Sequence, residues 1–486
     1  MFLTMPRGLL MSVLSLTSFS FGLWKETPLP MYLELYLYNF TNSEDVMKNH
    51  SIRPNFVDIG PYVFKEHHVK GNITWNDNGT VTFLQRRIWN FDPELSNGDL
   101  SDQITNINII PIVSKLLYCL FNAFITFIIL YIGMTFGEHL VVTKTASELL
   151  FEGYEDRLLD VISEMNISGL TLPFDKFGWF YGRNLSDTYD GWWTIQTGAN
   201  DLNHLGDMNL WNFKNDVGFY DGECGAVKGT TGELFPPRTD PQNISVFASD
   251  VLVHFLKVDN YVHNLILIFI YCRYITLKRN GSTTVRGVEG AVFTGDDQPF
   301  DNGYTYSDEA CFCPPGVVCQ PPGTRNVSQC KFGAPAFVSY PHFYLADPKY
   351  TEKIDTPPPN VEDDEFKMAL NLATGIPLFV RAQLQINILV QRIPLIDMFD
   401  KLPDDIFVPV LWFKQEVTIT EDLASKAKLA GSIEGIMNIV FYCLIGLGII
   451  LVLVGIFVVA KYPIRRSENA DGLQRETARN VLKSLQ

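Results

Sequence analysis

Residues 116–137 read LLYCLFNAFITFIILYIGMTFG, a run of 22 positions without a charged side chain. As a helix rising 1.5 Å per residue it would extend roughly 33 Å, about the thickness of a bilayer's hydrocarbon core. If this segment crosses a membrane, the chain is a multispan protein. If it does not, the residues on both of its sides belong to one large domain.

Glycosylation sequons separate the two readings. Asn39, Asn49, Asn72, Asn78, Asn166, Asn184, Asn243, Asn280 and Asn326 each head N-x-[S/T] with no intervening proline. Such sites are used only in a secretory compartment. They flank 116–137 on both sides, so a crossing would leave one group on the wrong face of the membrane. No cluster of Lys/Arg marks either end of the segment as cytoplasmic. The expectation is therefore a lumenal or extracellular segment. The apolar run at 262–272, VHNLILIFIYC, is too short to span and is read the same way.

The C-terminal part behaves differently. IVFYCLIGLGIILVLVGIFVVA at 439–460 is followed at once by KYPIRR, a spanning length with a basic cytoplasmic flank. From Lys461 onward six Lys/Arg face three Asp/Glu, a net +3, so the formal charge of −16 for the chain leaves −19 for the rest. That balance gives no footprint for nucleic acid. At the other end, LLMSVLSLTSFSFGLW at 9–24 is uncharged but only 16 residues long. It reads either as a signal peptide or as part of an anchor. The expected organisation is a hydrophobic segment at 1–23, a glycosylated domain at 24–434, a transmembrane helix at 435–460 and a cytoplasmic tail at 461–486.

Within 24–434 the texture is that of strands and turns. MYLELYLYNF (31–40) alternates and is rich in aromatics, as a half-buried strand is. PNFVDIGPYVFKEHHV, GTVTFLQRRIWNF, APAFVSYPHFYLAD, PLFVRAQLQINILVQ and FVPVLWFKQEV predict further strands. Thr145 and Glu148 have the spacing of a capping box and predict a helix over ASELLFEGYEDRLLDVI. TPPPNVEDDE reads as a polar surface loop that includes Asp363 and Asp364, and His67-His68 as a solvated strand end. No internal repeat and no long linker divides the region, which predicts one large β-rich domain with helical insertions.

Six of the eight cysteines, Cys224, Cys272, Cys311, Cys313, Cys319 and Cys330, lie outside the long apolar runs that hold Cys119 and Cys443. Four of them crowd into CFCPPGVVCQPPGTRNVSQC, whose spacing fits zinc poorly. An even count in an oxidising compartment points to disulfides, in any of fifteen connectivities. G-x-S-x-G, H-E-x-x-H, P-loop and G-x-G-x-x-G motifs are absent, so nothing nominates an enzyme, a cofactor or a metal site.

FDPELSNGDLSDQITNINI, FGWFYGRNLSDTYDGWWTIQTGAND, LWNFKNDVGFYDGECGAVKGTTGELFPP, CKFGAPAFVSYPHFYLADP and GIPLFVRAQLQIN, in this order, resemble the class B scavenger receptor family. Their wording is similar to that of insect members. The resemblance implies an α+β fold: a large, β-barrel-like antiparallel ectodomain with an internal apolar tunnel and an apical helical bundle, anchored at both ends by transmembrane helices. It implies the pairings Cys224–Cys311, Cys272–Cys330 and Cys313–Cys319. It also places 116–137 among the membrane-distal helices, where Leu117, Phe121, Phe124, Ile125 and Ile128 share one helical face and are the ligand-contact candidates.

Three features depart from the family pattern. The N-terminal hydrophobic segment is short. Residues 252–271 are inserted before Cys272. In the apical region Lys115 and Lys144 stand against Glu138, Glu148, Glu152, Glu155 and Asp156, which disfavours anionic particles.

The function implied is a plasma-membrane receptor, with endosomal or lysosomal membranes as the alternative location. It would capture fatty acids, sterols, carotenoids or lipoprotein lipid for uptake or transfer to the membrane. The second expectation is a recognition receptor for apoptotic cells, microbes or a protein cargo, with homo-oligomers allowed in either case. The tail lacks an acidic dileucine, which weakens its lysosomal-sorting version.

Overall fold

The alternating stretch at 31–40 becomes the central strand of the molecule. The computed structural model describes residues 14–15, 19–112, 140–157, 159–160, 175–238, 240–248, 273–313, 319–328, 334–392, 405–461, 476–482 and 484. In it, β1 (Met31–Phe40) turns Leu33, Leu35 and Leu37 into the core while the intervening residues are mostly half-buried. The chain continues through β2 (Phe56–Trp75), β3 (Thr80–Phe91), β4 (Gln103–Ile107), β5 (Val141–Thr145), β6 (Trp192–Gln196), β7 (Met208–Trp211) and β8 (Asn243–Ala248). Then follow β9 (Arg273–Val285), β10 (Val288–Thr294), β11 (Arg325–Asn326), β12 (Ala336–Ser339), β13 (Lys367–Asn371), β14 (Ile376–Val390) and β15 (Ile406–Thr418). All the strands predicted from alternation are present, the last segment of APAFVSYPHFYLAD giving way to a turn at Pro341–Phe343.

Thirteen strands form one sheet, ordered β7-β6-β3-β2-β1-β15-β14-β13-β10-β9-β8, with β12 and β11 branching from β14. Every pairing along that path is antiparallel. The two edges, β7 and β8, are not left open. Met208 N–H donates to Gly229 O at 2.7 Å, Thr230 N–H donates to Ser245 O at 3.0 Å, and Phe247 N–H donates to Thr230 O at 2.7 Å. The 229–230 segment is thus a minimal stave that closes the sheet into a near-complete barrel, bonding Met208 on one edge and Ser245 and Phe247 on the other. Gly229 has to be glycine here: its φ is +85°, and a Cβ would lie 2.6 Å from Ser245 O.

Two compact units make up the chain, Met1–Lys428 and Leu429–Gln486. In the first, the main core packs Leu35, Tyr38, Phe40, Phe56, Phe293 and Leu411 around the strands just described, and a second cluster gathers Trp24, Phe83, Trp193, Trp211 and Phe247. Among the described residues the disulfide Cys224–Cys311 ties the turn at Gly222–Cys224 to that at Ser307–Phe312, and a second joins Cys313 to Cys319. In the second unit, Ile439–Val458 lies within the helix Glu421–Lys461, with a mean hydropathy of 3.0 and no part of it buried. Twenty residues rise about 30 Å, enough to cross a bilayer.

The capping box forms reciprocally. Thr145 Oγ1 accepts from Glu148 N–H at 3.1 Å, and Glu148 Oε2 accepts from Thr145 N–H at 2.9 Å. The helical turn it opens is a π-helix over Glu148–Glu152, ended by Gly153 at φ +71°. Residues 116–137, expected in an apical helical bundle, and the insert at 252–271 lie outside the described residues.

Candidate functional site

The first unit holds a cavity of about 260 Å³ in the barrel. A single water needs only roughly 10–15 Å³ by the same measure, so the space is of molecular size. Its wall is built mainly of Leu23, Trp24, Met31, Trp193, Phe247, Phe366, Met368, Phe413 and Val417, with Leu423 and Ala427 from the start of the long helix. Ala382 on β14 puts only a methyl group into this lining.

One side of this wall is polar, and no pattern of spacing signals it. On β2, Glu66, His68 and Lys70 point the same way by strand periodicity, and all three are buried. Register places His68 opposite Arg87 of β3, and the buried guanidinium there needs anions beside it. Glu66 supplies one, bonding His68 Nε2 and lying 3.3 Å from Arg87 Nη1, with Gln415 of β15 donating to its other oxygen. Glu233 supplies another: its carboxylate is 2.7 Å from Lys70 Nζ and 3.5 Å from His68 Nδ1. Arg87 Nε reaches Asp190 at 2.9 Å, and Arg183 binds the other Asp190 oxygen at 2.9 Å. Glu233 comes three residues after Thr230, so the stave that closes the barrel also delivers this anion to β2.

Burial alone would raise the Glu66 carboxyl, but His68, Arg87 and Gln415 outweigh it and hold its pKa at about 2. For Glu233 the same contest, burial against Lys70 and His68, ends at about 2. Asp190 is likewise held below the ordinary carboxylate range: burial is opposed and overcome by Arg183 and Arg87. Burial pushes the Lys70 ammonium down despite Glu233. These carboxylates are ionised at any physiological pH.

A second buried cluster surrounds His342. Its Nδ1 is 2.9 Å from Asp364, its Nε2 is 3.5 Å from Asp58, and Trp412 Nε1 donates to Asp58 at 3.2 Å. Burial lowers the imidazole pKa, yet the bonds and charges of Asp364 and Asp58 lift it to about 9. Asp364, expected on a solvated loop, is fully buried, and His68, expected at a solvated strand end, is buried in the cavity wall. In both cases the local sequence is polar, and only a partner remote in the chain removes it from water. No group of side chains suited to hold a metal ion occurs among the described residues.

Of the residues singled out by sequence, Leu117, Phe121, Phe124, Ile125 and Ile128 lie outside the described residues, as do Cys272, Cys330 and Asn166. Asn49, Asn72, Asn78, Asn243, Asn280 and Asn326 are exposed, and Asn39 is half-buried, its Oδ1 accepting from Thr105 N–H at 2.8 Å. Asn184 is exposed but engaged. It accepts from Trp89 N–H and donates to Trp89 O, each at 3.0 Å, on the stretch of β3 that β6 does not cover.

The family model that matches is described as the CD36 family, over residues 8–259 and 266–459. The chain belongs to the CD36 family. The gap in the match, 260–265, falls inside the insert at 252–271. Among the relatives of this CD36-family chain, Protein peste of Drosophila melanogaster is 33% identical over 448 residues, 92% of this chain and 76% of the relative. Scavenger receptor class B member 1 of Mus musculus is 30% identical, covering 90% of this chain and 81% of the relative. Lysosome membrane protein 2 of Homo sapiens is 30% identical, with 90% and 84% covered.

Proposed function

We propose that this CD36-family chain is a membrane-anchored receptor that takes hydrophobic ligands into the barrel cavity and passes them to the bilayer. The observation that carries the reading is the cavity itself: about 260 Å³ with predominantly apolar walls, in a chain that also holds a span-length apolar helix at Ile439–Val458. Each Å² of apolar lipid surface withdrawn from water there contributes about 25 cal/mol, with no covalent step required. A lipid inside the barrel moves without returning to water. The family membership and the printed name of the murine relative, a scavenger receptor, agree with a receptor role.

In this reading the chain resides in the plasma membrane with the cavity-bearing unit outside the cell. Leu117, Phe121, Phe124, Ile125 and Ile128 make the first contact with the ligand. Ala382→Trp places an indole in the cavity and tests the proposal. In cells displaying equal amounts of protein at the surface, the variant is expected to take up fluorescent sterol several-fold more slowly. Undiminished uptake by a properly displayed variant would refute the cavity as the route. The companion variant Phe121→Asp/Phe124→Asp addresses the apical contact in the same assay.

A further inference from the structure

We propose that Glu233 and the ion-pair network behind it make the cavity selective for uncharged lipids, those whose polar end is a hydroxyl, ketone or ester, and exclude lipids ending in a carboxylate. The inference rests on the lipid-receptor reading above and narrows its ligand class.

The charges of the polar wall carry this selectivity. Three charged or ionisable side chains of the network line the cavity: Glu233, Arg87 and His68. Arg87 is committed to Glu66 and Asp190, and His68 to Glu66 with Glu233 beside its other nitrogen. Behind them Lys70 is committed to Glu233, and Arg183 to Asp190. Among the described residues the carboxylates of Glu66, Glu233 and Asp190 therefore face the ammonium and guanidinium groups of Lys70, Arg87 and Arg183. Of the three lining groups, Glu233 is the most exposed, at 19% against 10% for Arg87 and 9% for His68. Within the buried network the most exposed lining charge is thus negative.

A lipid carboxylate entering this space would lose its hydration and meet a fixed anion, with each network cation already held by another carboxylate. It must either stay out or take up a proton. An alcohol or ester has no such cost and finds polar atoms waiting. Gln383, fully buried in the same wall, donates its Nε2 to Glu365 O at 3.0 Å and leaves Oε1 without a partner, and Trp193 Nε1 is also unbonded. Lys426, farther along the lining, is paired with Asp422 at 2.6 Å.

Full-length protein in amphipol, loaded with dehydroergosterol, allows a direct test. Energy transfer from tryptophan reports the bound sterol, and dodecanol or dodecanoate is titrated to displace it. At pH 8, dodecanol is expected to displace the sterol at a concentration at least about tenfold lower than dodecanoate. At pH 4.5, where the acid is largely protonated, the gap is expected to close while dodecanol is unaffected. Glu233→Gln, which leaves Lys70 uncompensated, is expected to narrow the gap at pH 8. Equal displacement by the acid and the alcohol at pH 8 would overturn the selectivity and leave the receptor reading standing. Failure of any lipid to bind would overturn both. The pH comparison on the unaltered protein decides the matter even if the variant does not fold.

Discussion

Glu66 is the residue on which the polar wall depends, because it bonds β2, β3 and β15 together through His68, Arg87 and Gln415. Removing one partner of a buried ion pair leaves the other desolvated and unmatched, which costs about 3–5 kcal/mol. Glu66→Ala is expected to lose stability in that range in denaturant unfolding. A loss below 1 kcal/mol would mean that the network is not closed as described. Asn184 makes a prediction of another kind. Its amide uses Oδ1 and the N–H on the same side to grip both backbone groups of Trp89. An N-linked sugar takes the place of that same hydrogen. Glycopeptide analysis is therefore expected to find Asn184 largely bare while Asn49, Asn78 and Asn326 carry glycans. Asn184→Ala is expected to cost about 1–2 kcal/mol although no sugar is lost. Full occupancy at Asn184 in folded protein would contradict the pairing.

At the level of elements, the barrel's seam is its weakest join. Ten neighbouring strand pairs form the rest of the path, whereas among the described residues β7 and β8 meet through the stave at Gly229 and Thr230. Gly229→Ala forces a Cβ to within 2.6 Å of Ser245 O at a backbone φ of +85°. Strain of this type costs about 1–3 kcal/mol. Amide exchange is expected to accelerate at Met208, Thr230 and Phe247, whose N–H groups bond across or beside the seam, and to stay slow in β14 and β15. Uniform acceleration across the sheet would show that the seam does not open on its own. The strands themselves were legible in the sequence, because alternation in MYLELYLYNF or FVPVLWFKQEV follows from one face being buried. The stave was not. Its two pairing residues carry no period, and glycine and threonine at a turn have many other uses.

For the whole molecule, the buried ion pairs set a window of pH. Glu66 and Glu233 titrate at about 2 in the fold against an ordinary value of 4.5, so their contribution is complete above about 4.5 and is lost as the pH falls toward 2. His342 is raised from 6.5 to about 9, so its contribution is complete below about 6.5 and is lost as the pH rises through 9. The melting temperature is expected to be level from pH 4.5 to 6.5, spanning the range of acidic compartments, and to drop on either side. A decline between pH 6.5 and 5 would contradict this. The sequence by itself determined the β-rich class, the family, the sequons and the span at the C-terminus. Each of these is written in local spacing, in the order of motifs or in the length of an apolar run. Only the tertiary structure decided where Glu66, His68, Asp364 and Glu233 lie. A charged side chain looks the same in a sequence whether it faces water or a partner 163 residues away, as Lys70 faces Glu233. The cost of burying it, and the partner that offsets that cost, exist only once the barrel has closed.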